Sequence, residues 1–156
     1  MSLRNNKSLK IVLIIFSIIT VAILGSVFVN LGMDWFNELT KPMQWIPNII
    51  IPIVWTIIYL VFGIVFSIWV SRKNLPRSVL FWLIVNGVLN VLWCLIFFAL
   101  NLTFVGNIVI IVNLIAGIIL FKEIYKANRL YAIITSIYPI WLSLATSLNT
   151  ALWILN

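Results

Sequence analysis

The sequence predicts an all-α integral membrane protein, a single domain over residues 1–156 built as a bundle of five transmembrane helices. Its 156 residues are 64% hydrophobic and only 8% charged, whereas soluble domains carry about a quarter charged residues. Five apolar stretches are each long enough to cross about 30 Å of hydrocarbon at about 1.5 Å per residue. The positive residues also lie at the ends of these stretches, nearly all on one side of the predicted bundle, as expected for membrane spans.

The predicted helices share an apolar length and flanking polar residues, and they cover residues 9–29, 47–70, 79–100, 104–121 and 130–155. Helices are favoured because a spanning segment must satisfy its own backbone hydrogen bonds. Arg4, Lys7 and Lys10 before the first apolar run also fit a signal peptide. That run is longer than a usual signal-peptide core, so a retained helix is the preferred interpretation. The fourth stretch is the weakest, since Asn107 and Asn113 interrupt it.

The basic residues predict the orientation of the bundle. Five crossings place nine of the ten on one side, and these are Arg4, Lys7, Lys10, Arg72, Lys73, Arg77, Lys122, Lys126 and Arg129. Lys41 alone lies on the other side. Cytoplasmic loops are enriched in Lys and Arg, so the N-terminus is predicted to be cytoplasmic and the C-terminus outside. The same placement assigns the net charge of +7 to topology and to contact with lipid headgroups; nucleic acid is not an expected partner.

The first connection, over residues 30–46, is long and carries its own aromatic residues, Trp35, Phe36 and Trp45. Long loops of this kind often cover binding sites, which makes it a candidate lid over a pocket. An interfacial segment anchored by its aromatic side chains is an equally open interpretation.

Helical spacing places aromatic and amide side chains on common faces. On the second helix the stripe is Trp55, Tyr59, Phe62, Phe66 and Trp69; on the third it is Trp82, Asn86, Asn90, Trp93 and Phe97; on the fifth it is Trp141, Ala145, Asn149 and Trp153. Trp69, Trp82 and Trp153 lie near helix ends and are expected at the membrane interface. The deeper Trp55, Trp93 and Trp141 are not explained in that way. Because an amide facing lipid is costly, the asparagines should face the interior, either as packing hydrogen bonds or as polar groups of a pocket.

The sequence has few residues suited to metal binding, acid–base catalysis or ion-coupled transport. The sequence has no histidine, and its acids are Asp34, Glu38 and Glu123, so neither a metal site nor a histidine-based triad is expected. A helix core without a carboxylate also argues against a proton- or sodium-coupled transporter. Cys94 is read as a packing residue. Pro139 should kink the fifth helix and free the carbonyl of Thr135.

Four segments together resemble the translocator protein family, also called tryptophan-rich sensory proteins or peripheral-type benzodiazepine receptors. Trp35-Phe36 with Leu39 and Lys41-Pro42 is similar to the family's W-Y-x-x-L-x-K-P. Three further segments follow at family spacing. The second helix has Pro52 with Trp55 and Tyr59, and the third has Asn86 to Asn90 with Trp93 and Phe97-Phe98. The fifth has Trp141 with Ala145 to Asn149, Trp153 and Asn156. The resemblance extends over residues 30–156.

The resemblance implies a five-helix bundle, often a homodimer, in a bacterial cell membrane, with a pocket under the first loop. Its implied ligands are porphyrins, haem and synthetic benzodiazepine-site compounds, and no cofactor is required. Residues at matching or neighbouring positions are expected to contact the ligand: Trp35, Trp45, Trp55, Tyr59, Asn86, Asn90, Trp93, Trp141, Ala145 and Asn149. Some bacterial members resemble enzymes that degrade protoporphyrin with light and oxygen, and Trp55 and Trp141 stand at the matching catalytic positions.

The chain departs from the family pattern at three places. Trp45 lies one position later than the family's loop tryptophan, and one proline of that loop is missing. Pro139 lies two residues before Trp141, where the family has four. Nothing basic follows Arg129, so the animal cholesterol motif is lacking and cholesterol is not an expected ligand.

The sequence therefore favours a membrane receptor, sensor or carrier that binds porphyrin-like tetrapyrroles and similar flat aromatic molecules. A porphyrin-degrading enzyme that uses Trp55 and Trp141 is the first alternative, and a structural adaptor without a ligand is the second.

Overall fold

A computed structural model describes residues 7–43 and 45–156, and the elements in this part of the chain are helices. They are α1 Lys7–Leu31, α2 Met33–Glu38, α3 Ile50–Arg72, α4 Arg77–Cys94 with a π-helical turn Leu95–Ala99, α5 Thr103–Ala127, α6 Arg129–Thr135 and α7 Ile137–Leu155. Among the described residues, five spans are long and apolar enough to cross a membrane, with α4 and its π-helical turn forming one and α6 and α7 together forming another. The predicted five-helix bundle is confirmed.

The spans pack as a ring. α1 packs against α3 and α4, α5 packs against α4 and α7, and α3 closes the ring against α6 and α7. One end of the bundle, called here the basic end, carries the start of α1, residues 72–77 and residues 127–129. The opposite loop end carries residues 31–49 and the end of α7. Of the residues described in α1, Gly25 alone is buried, so this helix lies on the bundle surface and faces lipid along most of its length.

The predicted start of α3 is displaced. Ile50 begins the helix, three residues after the predicted Pro47, because Pro47 opens a turn whose carbonyl accepts a 2.9 Å bond from the Ile50 N–H. Pro52 then falls in the first turn, where its missing N–H has no intrahelical partner to lose.

The fourth span extends past the predicted residue 121. α5 runs on to Ala127, since Lys122 and Lys126 are good helix formers that carry the helix beyond its apolar part. Lys126 also forms an ion pair with Glu123 one turn earlier. Asn128 alone connects α5 to α6, and its side-chain oxygen caps α6 by accepting a 3.1 Å bond from the Tyr131 N–H.

The predicted kink at Pro139 is confirmed as an interruption of the fifth span. α6 ends at Thr135 and α7 begins at Ile137. Proline lacks an N–H, and its ring clashes with the carbonyl four residues earlier, which is that of Thr135. The chain responds with a tighter turn, in which the Ser136 N–H donates to the Ile133 carbonyl at 3.3 Å.

A π-helical turn at the end of the third span was not predicted. It covers Leu95–Ala99 and closes with a 2.9 Å bond from the Leu100 N–H to the Leu95 carbonyl. The turn between α1 and α2 docks on it at Gly32, where an added Cβ would lie 2.0 Å from the carbonyl oxygen of Phe98. Glycine is therefore required at this close approach of two backbones.

Candidate functional site

A cavity of about 450 Å³ lies within the bundle between α1, α3 and α4. Trp55, Ile58, Tyr59 and Phe62 of α3 form one wall, and apolar residues of α1 form another. The volume falls within the range of small-molecule sites in proteins, about 300–1,000 Å³.

The aromatic stripe of α3 divides into two parts. Trp55 and Tyr59 are half-buried, line the cavity and stack on each other with ring centroids 5.8 Å apart. Phe66 and Trp69 are fully buried and stack at 6.0 Å, and Trp69 also packs on Tyr131 at 5.0 Å. The expectation of an interfacial Trp69 is therefore wrong. The half of the stripe near the basic end is core packing, and the other half faces the cavity.

Two asparagines of α4 give the cavity its polar groups. The Asn90 side chain donates to the Tyr59 hydroxyl at 3.4 Å, while its own Oδ1 is buried with no hydrogen-bond partner among the described residues. Asn86 donates to the Trp82 carbonyl at 2.7 Å and accepts from the Tyr138 hydroxyl at 3.0 Å. Asn86 is thus fully engaged, whereas Asn90 keeps an acceptor available inside the membrane.

The Tyr138 hydroxyl joins α7 to both α4 and α5. Besides Asn86, it lies 3.3 Å from Oδ1 of Asn113, and a phenol has a single hydrogen to donate. Asn113 is fully buried, and its Nδ2 lacks a partner in the described part of the chain. The shorter distance favours the bond to Asn86, so the contact of the hydroxyl with Asn113 is the weaker of the two.

A second polar cluster lies nearer the loop end. The Trp93 indole N–H donates to Oδ1 of Asn149 at 3.2 Å, and the Asn149 NH₂ donates to Asn107 at 3.4 Å. The Thr150 hydroxyl donates to the same Asn107 oxygen at 2.9 Å. These bonds join α4, α5 and α7, and Trp93 and Asn149 do not line the cavity.

A model of the TspO/MBR family matches residues 13–154 of the sequence. The chain belongs to the TspO/MBR family. It is 29% identical over 150 residues to the Tryptophan-rich protein TspO of Archaeoglobus fulgidus. The aligned residues cover 95% of this chain and 97% of the relative. It is 28% identical over 129 residues to Protein CrtK of Rhodobacter capsulatus, with 78% of each chain covered. The resemblance found in the sequence is confirmed, and this TspO/MBR chain is an integral membrane protein of a sensor- or receptor-like family.

The predicted ligand residues of this TspO/MBR protein separate into two groups. Trp55, Tyr59, Asn86 and Asn90 line the cavity together. The other six lie elsewhere, at the loop end or in the core, and they are Trp35, Trp45, Trp93, Trp141, Ala145 and Asn149. Trp141 is buried in the core, and its indole nitrogen has no partner within the described ranges.

The candidate lid of this TspO/MBR protein packs into a cluster of aromatic residues, called here the loop-end cluster: its own Phe36 with Trp93, Phe97 and Phe98 of the third span. Trp35 meets the edge of Phe97 with ring centroids 5.5 Å apart, and Trp45 packs against Phe36 at 5.9 Å. The Trp45 indole N–H donates to Asn48 at 2.8 Å. The loop therefore covers packed aromatic rings, and the cavity lies deeper in the bundle.

Sequence reasoning missed several residues of this TspO/MBR site. Tyr138 lines the cavity and extends the Trp141, Ala145 and Asn149 stripe one turn toward the basic end, so the same spacing argument would have found it. Asn107 and Asn113 were read as interruptions of a span, although the argument that an intramembrane amide must face the interior applies to them equally. The wall contributed by α1 had a weaker signal, because the cavity-lining part of that helix is apolar except for the hydroxyls of Ser17 and Thr20.

Proposed function

We propose that this TspO/MBR chain binds flat tetrapyrroles of the porphyrin class in the cavity between α1, α3 and α4, and acts as a sensor or carrier of them. One observation carries the proposal: the stacked Trp55 and Tyr59 rings stand beside the unpaired Oδ1 of Asn90 in a cavity within the membrane-spanning bundle. Aromatic faces stack well on planar conjugated rings. A single buried acceptor then fixes how such a ligand is oriented.

The division of the predicted residues into two groups gives a sharp test. We expect Asn90→Leu to weaken protoporphyrin binding about three- to tenfold, as expected for losing one hydrogen bond to the ligand. Binding is followed through the Soret absorption of protoporphyrin, titrated with purified protein in detergent.

Asn149→Leu is the matched control, since it makes the same change on the amide of the second polar cluster. Asn149→Leu is less stable, but its folded form should keep the affinity of the unmodified protein. If Asn149→Leu loses affinity while Asn90→Leu binds normally, the ligand lies at the loop end instead. If the unmodified protein shows no saturable binding, the structural adaptor is favoured.

The enzyme alternative needs two indoles near the ligand, Trp55 and Trp141, and of these Trp55 lines the cavity while Trp141 lies in the core. Because only one of the two indoles lines the cavity, this arrangement supports a binding role over a catalytic one. The two functions are distinguished by illuminating the protein with protoporphyrin in air and following the Soret band. If the unmodified protein bleaches the Soret band and Trp141→Phe does not, the enzyme is supported. If no bleaching occurs, or if Trp141→Phe bleaches the band equally well, the enzyme is contradicted.

A further inference from the structure

The cavity has an opening between α1 and α4 that faces the lipid. Phe16 of α1 and Ile84 and Val88 of α4 line the cavity, and these side chains are 67%, 57% and 61% exposed. A residue that both lines a cavity and is exposed on a membrane-facing surface marks a mouth. The gap is bounded by contacts toward both ends of the bundle. Toward the loop end, α1 meets α4 first at Val21 and Gly87, where an added Cβ would lie 3.3 Å from a Val21 methyl carbon, and then at Gly25 beside the Cys94 sulfur. At the basic end, the Lys10 ammonium donates to Asn74 at 2.7 Å.

The mouth is apolar although it contains hydroxyl groups. Ser17 and Thr20 line the cavity, and each donates its hydroxyl hydrogen at 2.8 Å to the carbonyl four residues earlier in α1. Their hydrogen bonds are thus made within the helix. A hydrophobic molecule can pass them without breaking a bond to water or protein, and the first free polar atom it meets is deeper, at Asn90.

The loop end, in contrast, is closed. The Asn156 side chain accepts from the Thr40 N–H at 2.9 Å and donates to the Thr40 carbonyl at 3.0 Å, which fixes the loop at two atoms of one residue. Beneath it, Phe36, Phe97 and Phe98 are all buried. A ligand that entered from this end would have to separate the loop from α7 and then displace packed rings.

We infer that ligands reach the cavity sideways from the bilayer, through the opening between α1 and α4, and not through the loop end. The inference rests on the proposed function, because it assigns the route to the same site. The class of ligand follows from the route: a flat, predominantly apolar molecule that partitions into the bilayer and carries a hydrogen-bond donor for the Asn90 oxygen.

Ile84→Trp tests the route by narrowing the mouth at an exposed position where added bulk does not disturb the core. Ile64→Trp on α3 is the matched control, since Ile64 is 59% exposed against 57% for Ile84 and is not among the residues lining the cavity. With protoporphyrin supplied in nanodisc lipid, we expect Ile84→Trp to slow association and dissociation by about tenfold while the equilibrium affinity changes little. Ile64→Trp should match the unmodified protein.

A disulfide between α1 and α4 provides a second test, in which the oxidised and reduced forms of one variant are compared. An added Cβ at Gly87 would lie 3.3 Å from a methyl carbon of Val21, so Val21→Cys with Gly87→Cys, in a Cys94→Ala background, brings two thiols within bonding reach. The oxidised form should exchange protoporphyrin slowly, and reduction should restore the rate of the Cys94→Ala parent.

Three results would contradict the inference. Equal rates for Ile84→Trp and Ile64→Trp would place the entrance elsewhere, and so would an oxidised disulfide without effect. Faster exchange in Asn156→Ala, which frees the loop, would place the entrance at the loop end. These results differ from a failure of the proposed function, in which the unmodified protein would show no saturable binding at all.

Discussion

Single amides hold the interior of this bundle together. Asn149 is 2% exposed and uses both ends of its side chain, accepting from Trp93 and donating to Asn107. Leucine has a similar volume but no polar atoms, so its introduction would leave the Trp93 N–H without its acceptor inside the membrane. Interhelical hydrogen bonds of this kind each contribute about 0.6–2 kcal/mol.

We therefore expect Asn149→Leu to lower the free energy of unfolding by about 1–3 kcal/mol, since two such bonds are lost. The measurement is an unfolding titration in mixed micelles, followed by helical circular dichroism. Asn30→Leu, at an exposed position of α1, is the control and should change stability little. Equal stability of the two variants would mean that the cluster around Asn149 does not hold the helices together.

Gly32 is the second residue on which the loop end depends. Alanine there would place its methyl group 2.0 Å from the Phe98 carbonyl oxygen, so the turn between α1 and α2 must move away from the π-helical turn. Overpacking of this kind costs about 1–3 kcal/mol. We expect Gly32→Ala to lower the midpoint of thermal unfolding.

The matched variant for Gly32→Ala is Gly63→Ala. An added Cβ at Gly63 meets Ile18 at an ordinary 4.0 Å, and alanine favours the helix over glycine by about 1 kcal/mol. Gly63→Ala should therefore be neutral or slightly stabilising. A Gly32→Ala protein that is as stable as Gly63→Ala would show that the close approach at position 32 can relax without cost.

Among the elements, the spans were predictable and their ends were less so. Apolar length determines where a helix crosses the membrane, and all five crossings were found in that way. The end of α5 at Ala127 was missed because Lys122 and Lys126 end an apolar run without ending a helix. The π-helical turn Leu95–Ala99 was missed because one extra residue in a turn leaves no mark on composition; it depends on how Gly32 and Gly106 pack around it.

The interruption between α6 and α7 is attributed to Pro139, and this attribution can be tested at the level of the element. Pro139→Ala supplies an N–H that can donate to the Thr135 carbonyl, so α6 and α7 should join into one continuous helix. We expect slower amide hydrogen exchange over residues 136–140, measured by mass spectrometry in detergent. Unchanged exchange would mean that packing around Ser136, and not the proline, breaks the helix.

Taken as a whole, the molecule combines a predictable architecture with a cavity whose lining the sequence located only in part. Helical spacing correctly placed Asn86 and Asn90 beside Trp55 and Tyr59. It also placed Trp93 and Asn149 on inward faces, but spacing cannot show whether the space between two inward faces is empty. Here the two side chains bond to each other. The cavity depends on how closely α1 approaches α4, and the pattern of a largely apolar helix says little about which neighbours it contacts.

The orientation of the whole molecule remains a prediction from its charges. In a Cys94→Ala background, Met43→Cys at the loop end should react with a membrane-impermeant maleimide added to intact spheroplasts. Asn74→Cys, at the basic end, should react only after the membrane is permeabilised, because Lys and Arg favour the cytoplasmic side. The reverse pattern would mean that the bundle is inserted with its basic end outside.

The buried polar side chains of the described bundle have one more consequence. They are Asn86, Asn90, Asn107, Asn113, Thr135 and Asn149, and each carries a dipole but no net charge. A membrane potential does work on a conformational change only when charge moves through the field, at about 2.3 kcal/mol per elementary charge per 100 mV. Occupation of the cavity by a neutral ligand should therefore proceed equally well in energised and in de-energised membranes.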